Sequence, residues 1–422
     1  MEAFTDQVST THAPPAWEQV TAARRWGMLG ASTAAQATSA AMVSGPAFLI
    51  PELHRSRGMS LAEAGLVASA PLVGLMLTLV AWGVVVDRRG ERFALLASLA
   101  GTTVAGGLAI LAASGAGGTD GSGQVLALSL TLFLAGATSG ATSSASGRVV
   151  VGWFPPARRG LAMGIRQTAQ PLGVGLAAAT MAPLAEQAGP AAALWVPTGL
   201  GVLAMVLVAA IVLDPPRPVG SAHTAAAQNP YRQDPFLPRV HAASVLLVGP
   251  QFLVWTFGLT WLIDDLGWSA AAAGLMVAGT QVGGAAARIC AGWYSDHVGT
   301  RMRPMRQIAY LAAATLLALG LAAGVGSWAT GLGVVLLAVA SAVTVADNGL
   351  AFTAIAERAG PLWAGRALGL QNTAQHVMAA AIPPVAGLVI TYAGYGWAFG
   401  LAAVLPLLAV PLVPVGDERG IG

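Results

Sequence analysis

The chain contains no lysine, one cysteine and little charge of any kind: 9% of its 422 residues are charged, against 55% hydrophobic. So little charge excludes an ordinary soluble surface, because globular domains carry roughly a quarter of their residues as Asp, Glu, Lys and Arg. A single cysteine, Cys290, excludes an intrachain disulfide, and its place inside an apolar run predicts a buried, inert thiol. A chain without lysine also lacks the G-x-x-x-x-G-K-[ST] loop that would cradle ATP phosphates, which disfavours a primary pump. The net charge of +3 is spread over arginines in short loops, so no basic module for nucleic acid is assembled. Ser, His and Asp occur, but no set has the spacing of a catalytic group or a metal site, so neither an enzyme nor a cofactor is expected.

What the chain has in abundance is long apolar runs. Continuous runs rich in Ala, Leu, Gly and Val are the pattern of membrane helices; a β-barrel would show short alternating segments instead. The predicted fold class is an all-α polytopic membrane protein with twelve transmembrane helices. They are expected near 26–51, 61–84, 93–114, 125–152, 161–183, 190–213, 240–263, 270–294, 305–326, 330–355, 367–391 and 395–415. Residues 1–25 read as a soluble tail without a signal peptide's basic start and apolar core, and 416–422 as a second tail. The polar, proline-rich interval 214–239 reads as a flexible connector between two six-helix bundles, 26–213 and 240–415. Arginine sets the orientation. Arg88, Arg89, Arg92, Arg301, Arg303, Arg306 and ten others fall on the side of the termini, against Arg55 and Arg57 opposite, so both termini are expected in the cytoplasm and the chain in the cell membrane.

An internal repeat supports the division. GVVVDRRGER from Gly83 matches GWYSDHVGTR from Gly292 at an offset of 209, and GIRQTAQ from Gly164 matches GLQNTAQ from Gly369 at an offset of 205. Two matches at nearly one period imply duplicated halves. These features together resemble the major facilitator superfamily of secondary transporters, which implies two pseudo-symmetric six-helix bundles and a loop after span 2 that helps lock the cytoplasmic side. The resemblance carries a gating role onto Asp87, Arg88 and Arg92, and onto Asp296 and Arg301 as second-half equivalents. Glu91 departs from the pattern, standing where a basic residue is usual. Arg148, near the inner end of span 4, either pairs with Asp87 or reaches out to lipid headgroups.

Four ionisable residues lie well within the spans: Arg166, Arg288, Asp347 and His376. An arginine at a membrane centre costs about 2.5–3.5 kcal/mol on insertion scales, so it normally faces protein or an aqueous cavity. Arg288 shares a helical stripe with Gln281 and Gly292, and a guanidinium grips a carboxylate with two parallel hydrogen bonds. Arg288 followed by Gly292 ahead of the loop resembles the monocarboxylate transporters, the oxalate:formate antiporter and the nitrate/nitrite porters, in which a span-8 arginine binds the anion. The other reading is a structural ion pair with Asp347. Arg166 offers a second anion contact, a floor beneath the substrate, or a snorkelling side chain. Gln371, Asn372, Gln375 and His376 form the polar face of span 11, and Gln36, Gln251 and Trp255 sit at depths where a cavity would be lined. The span-11 lysine of the oxalate:formate antiporter is absent, and His376 is the nearest titratable substitute. Asp347, the one carboxylate deep in a span, is a candidate proton-coupling group together with His376. The expectation is a monomeric secondary transporter for a small organic anion, with protons and membrane lipid as further partners. The alternative is proton-coupled efflux of amphipathic compounds.

Overall fold

The computed structural model describes residues 16–115, 121–215, 229–233, 235–324 and 330–418. Expectations that fall on 1–15, 216–228, 234 and 419–422, including much of the connector, lie outside the described residues. Within them every regular element is helical. That follows from the apolar composition, because a spanning segment finds no water for its backbone and must satisfy its N–H and C=O groups internally.

Among the described residues eight stretches are long and apolar enough to cross a membrane, and two of them, at 56 and 54 residues, have twice the necessary length. Pro156–Ile211 holds two spans that reverse at Gly189 (φ 84°, ψ 169°), and the stretch starting at Ala364 holds two that reverse at Gly394 (φ 85°, ψ 172°). Glycine adopts this backbone without a Cβ clash, and the two positions are 205 residues apart, the period of the second sequence repeat. The spans are α1 (Ala22–Ser44), α2 (Leu61–Arg89), α3 (Glu91–Ser114), α4 (Ser122–Trp153), α5 (156–188) and α6 (190–211). The second half comprises α7 (Phe236–Asp265), α8 (Ala270–Val298), α9 (Met302–Gly324), α10 (Gly331–Ala359), α11 (364–393) and α12 (395–412). The eight stretches supply ten spans, α1 and α8, of 23 and 29 residues, complete the set, and the twelve-span fold class is the observed one.

Local chemistry sets several boundaries. Ser60 and Glu63 form a capping box that starts α2, and Ser269 accepts the Ala272 amide at the start of α8. The expected polar loop at 83–92 is mostly helix: α2 runs to Arg89 and only Gly90 separates it from α3. Similarly, α11 continues through Pro383 and Pro384.

Large apolar side chains such as Leu66, Leu77, Val104, Leu111 and Leu321 face outward, as a surface against hydrocarbon requires. Cys290 is exposed among them, not buried as expected. Two residues beyond Arg288, it is turned about 200° around the helix and lies on the opposite face.

Packing between the halves is uneven along the long axis. At the end holding the 83–92 and 292–301 segments, here called the arginine-rich end, one buried apolar cluster joins both halves, including Met28, Val86 and Met163 with Leu237, Met305 and Leu368. At the opposite end each half keeps its own cluster, around Leu49, Leu53 and Leu128 in one and around Leu253, Trp261 and Leu337 in the other.

Candidate functional site

The joined end is held by a repeated contact. Asp87, at the end of α2, accepts the amides of Gly365 (2.7 Å) and Arg366 (3.1 Å) at the start of α11 and the Arg366 Nε (2.8 Å). Asp296, at the end of α8, accepts the amides of Gly160 (2.9 Å) and Leu161 (2.8 Å) at the start of α5. A carboxylate near a helix N-terminus meets the positive end of the helix dipole and exposed amides. Each aspartate is also paired with a guanidinium that reaches the carbonyl four residues before the accepted glycine. Arg148 binds Asp87 (3.1 Å) and Pro361 O (2.6 Å), and Arg301 binds Asp296 and Pro156 O (2.8 Å). Gly365 − Gly160 and Pro361 − Pro156 both give 205, so the two contacts are related by the repeat.

Glycine makes the approach possible. A Cβ at Gly83 would run into the backbone of Gly365 and Arg366, and one at Gly292 into that of Gly160 and Leu161. Deeper in, a Cβ at Gly164 would lie 2.5 Å from the Arg288 carbonyl, and one at Gly369 2.6 Å from the Leu79 carbonyl. The backbone of Arg288 is therefore pinned against α5 of the other half.

Two expectations at this end are corrected, and of the two readings of Arg148 the pairing with Asp87 is the one observed. Arg88 is exposed, and Arg92 donates to Ala209 O (2.7 Å) on α6 of its own half, so neither crosses to the other half. The Arg92 backbone amide binds Asp214, which turns its side chain along α6. Arg148 is 4% exposed and pairs with Glu91 (2.7 Å) as well as Asp87, which excludes the headgroup-seeking reading. Sequence reasoning missed Arg366, and also Glu357, which joins Arg159 (3.3 Å) and Arg301 (3.5 Å). Carrying the 205 offset from the start of α5 to the start of α11 would have pointed to Gly365 and Arg366.

Beyond the joined end, between the halves, lies a small polar chamber. Its polar lining includes Gln36, Gln167, Gln170, Gln251, Arg288, Asn348, Asn372, Gln375 and His376, and Val248, Phe252 and Phe352 supply its apolar part. A second space shares Gln36, Gln170, Asn372 and His376 and extends toward the opposite end past Val43, Ser44, Leu72 and Leu75.

Arg288 is 4% exposed, its Nε has no hydrogen-bond partner, and no ion pair to it occurs among the described residues. The face of Trp255, 6.0 Å from the guanidinium carbon, is its aromatic neighbour. Asp347 sits where α10 breaks between 346 and 348, with Oδ2 unpartnered, close enough to Arg288 for their charges to interact but not joined to it. The structural ion pair is therefore not formed. His376 holds the Asn372 carbonyl through Nδ1 (2.7 Å) and borders both spaces.

Arg166 is fully enclosed beneath the chamber. It donates to Ser146 (2.8 Å), Gln167 (2.8 Å) and the Ser143 carbonyl (2.6 Å), and lies 5.3 Å from the ring of Phe352. Ser146 in turn donates to Gln36 (2.9 Å), so Arg166 holds lining amides without lining the chamber itself. Two further expectations fail. Gln371 is fully buried between α7 and α11, bound to His241 (2.6 Å) and Ser244 (2.6 Å), because its helical position faces α7. Gln281 is half-buried and is absent from the lining of both spaces: seven residues, about two turns, put it some 10 Å along the helix from Arg288.

The Major Facilitator Superfamily model matches residues 32–383. The chain belongs to this superfamily. An uncharacterized MFS-type transporter of Mycobacterium tuberculosis is 47% identical over 395 residues, covering 93% of this chain and 85% of that protein. Among solved structures, the superfamily transporter FucP in the outward conformation has a TM-score of 0.74 at 14% identity, covering 93% of this chain and 99% of that one. The human organic anion transporter MFSD10 has a TM-score of 0.68 at 19% identity, covering 92% and 99%. These likenesses place the fold with major facilitator transporters: a multi-pass membrane protein whose two bundles enclose the chamber.

Proposed function

We propose that this superfamily member is a secondary active transporter that binds a small organic anion, a monocarboxylate, in the chamber and moves it by alternating access. The observation that carries the reading is the Arg288 guanidinium, nearly enclosed at the chamber wall with no acid bonded to it. Leaving a buried charge unpaired costs several kcal/mol, and a bound carboxylate would offset that cost through two parallel hydrogen bonds. Charge balance supports the sign of the cargo: around the chamber, Arg166 and Arg288 stand against Asp347 alone, two positive charges to one negative. Gln251, Asn348 and Asn372 are suited to the remaining carboxylate lone pairs, and Phe252 and Phe352 to a short apolar tail.

In this reading the arginine-rich end is cytoplasmic, the membrane is the cell membrane, and the described state faces outward. Asp87 and Asp296, with Arg148, Arg366 and Arg301, form the closed inner gate. Asp347, with His376 beside the same chamber, exchanges a proton as the anion arrives at Arg288. The transporter acts as a monomer.

A second reading, efflux of amphipathic compounds, is favoured by the apolar wall of Val43, Leu72, Leu75 and Leu79 in the adjoining space. Counterflow in proteoliposomes, with lactate, pyruvate, oxalate, formate, nitrate and cyanate as probes, separates the two. For the anion reading, Arg288→Ala reduces exchange by about 100-fold or more, as expected from losing two charge-assisted hydrogen bonds of about 1.5–3 kcal/mol each. Exchange of only cationic or neutral compounds, unchanged in the variant, would refute it.

A further inference from the structure

We infer that Tyr231, in the segment between the halves, and His241 on α7 form a latch that ties closure of the arginine-rich end to the arrangement of side chains at the chamber wall. The inference rests on the alternating-access reading above, but not on the charge of the cargo.

The first part of the argument is where the connector goes. The described turn 229–233 is docked, not free: Asn229 caps it by accepting the Tyr231 amide (3.0 Å), and Pro230 is buried. The Tyr231 ring stacks on His241 at 5.8 Å and meets Trp363 edge-on at 6.2 Å. Trp363 lies under the Arg366 guanidinium at 3.9 Å, and Arg366 holds Asp87 across the halves. Tyr231 is therefore three contacts from the aspartate that joins the bundles. Burial, and after it the charge of Asp87, push the Tyr231 phenol up to about 12, so it keeps its proton and serves as a donor.

The second part is what the phenol donates to. Tyr231 Oη lies 2.9 Å from His241 Nε2, and His241 Nδ1 lies 2.6 Å from Gln371 Oε1. With the phenol as donor, Nε2 accepts and Nδ1 carries the hydrogen that reaches Gln371. Gln371 Nε2 donates to Ser244 (2.6 Å), which also accepts from Gln375 (3.0 Å). Gln375 donates to Asn348 (3.2 Å), and Asn348 donates to Gln251 (2.9 Å). The run thus starts in the connector and ends on Gln375, Asn348 and Gln251, all of which line the chamber. A cargo that takes Asn348 or Gln251 as a partner competes with the last bonds of this run. Because each amide along it has both lone pairs and hydrogens to place in a buried setting, a change at one end forces neighbours to re-pair. The elements it links, α7, α10 and α11, belong to one half, and α11 carries the Gly365 and Arg366 contacts to Asp87 of the other.

The test needs no cargo. In a Cys290→Ser background, Leu368→Cys puts a thiol at a fully buried position where α11 meets Gly147 of the other half. Its rate of labelling by N-ethylmaleimide in purified protein reports opening of the arginine-rich end. Tyr231→Phe keeps the ring contacts and removes only the hydroxyl, and Gln375→Ala removes the chamber end of the run. Each is expected to raise the labelling rate about tenfold, and the double variant to label no faster than the quicker single one, the non-additivity that marks coupled sites. Labelling at the parent rate in both single variants would overturn the latch. So would a double variant whose rate is the product of the two single effects, since the ends would then act independently. The counterflow panel fails or succeeds separately from this readout, so loss of the anion reading leaves the latch standing.

Discussion

At the arginine-rich end Asp87 receives donors from Gly365, Arg366 and Arg148, whereas Arg288 Nε, at the chamber wall, and Asp347 Oδ2, near Arg288, have no hydrogen-bond partner. The two regions draw on the same residue types and are both nearly dry, yet in one the guanidiniums of Arg148, Arg301 and Arg366 each reach a carboxylate, Arg301 doing so although its Nε has no hydrogen-bond partner, and in the other Arg288 reaches none. The difference teaches how to tell a charge that holds the halves together from one kept for something absent. Ion pairs at helix starts, backed by glycines that admit backbone contact, join the bundles. An open guanidinium at the wall of a cavity raises the energy of the empty protein and is offset only when the cavity is filled.

Three sets of substitutions sharpen or break this contrast. The largest effect is expected at the joined end: Asp296→Ala or Asp87→Ala removes the acceptor shared by two helix-start amides and a buried arginine, leaving that arginine only Glu357 or Glu91, and should cost about 3–5 kcal/mol, read as a marked fall in the thermal midpoint of detergent-solubilised protein. Equal midpoints for parent and variants would mean that these pairs do not hold the halves. Next is Arg288→Met, which replaces an unpaired buried charge by an apolar side chain of similar length. Its midpoint should be unchanged or raised, by up to about 1–2 kcal/mol of added stability, while anion counterflow is lost. A fall as large as that of the aspartate variants would place Arg288 among the structural pairs and erase the contrast. The smallest effects belong to Arg88→Ala and Arg92→Ala. Both side chains are exposed and neither crosses between halves, so stability should move by about 0.5 kcal/mol or less. A larger loss in either would show that the first loop grips the second half by a route other than Asp87.

The two copies of the aspartate contact are themselves unequal, and that inequality was hidden in the sequence. Asp87 and Asp296 stood out through the repeat, and both receive amides from the opposite half. The guanidinium beside each, however, comes from a different element: from α4 in the first copy, through Arg148, and from the segment after α8 in the second, through Arg301. The residue that corresponds to Arg301 by the 209 offset is Arg92, which bonds to its own half instead. Opposite Arg148 by the same offset stands Glu357, an acid, which takes Arg301 and Arg159. Acid and base have exchanged elements while the joint they make is retained. A loop motif copied from one half to the other therefore predicts the aspartate but not its partner, because the partner need only arrive at the same place in space.

From the sequence alone came the class of fold, since apolar runs of spanning length leave the backbone no alternative to helix, and the duplication, since its 205-residue period recurs in the reversal glycines at 189 and 394. Arg288 was also legible, because a charge amid Val, Ala and Ile is costly wherever it lies. The tertiary structure decided which polar side chains share a space. Asn372 and Gln375 line the chamber while Gln371, on the same helix, is consumed by His241 and Ser244, and Cys290 faces outward two residues from an enclosed arginine. Spacing along a helix fixes only relative angle. Which of those angles meets a cavity, a neighbour or the hydrocarbon depends on how the whole helix is rotated against elements more than a hundred residues away.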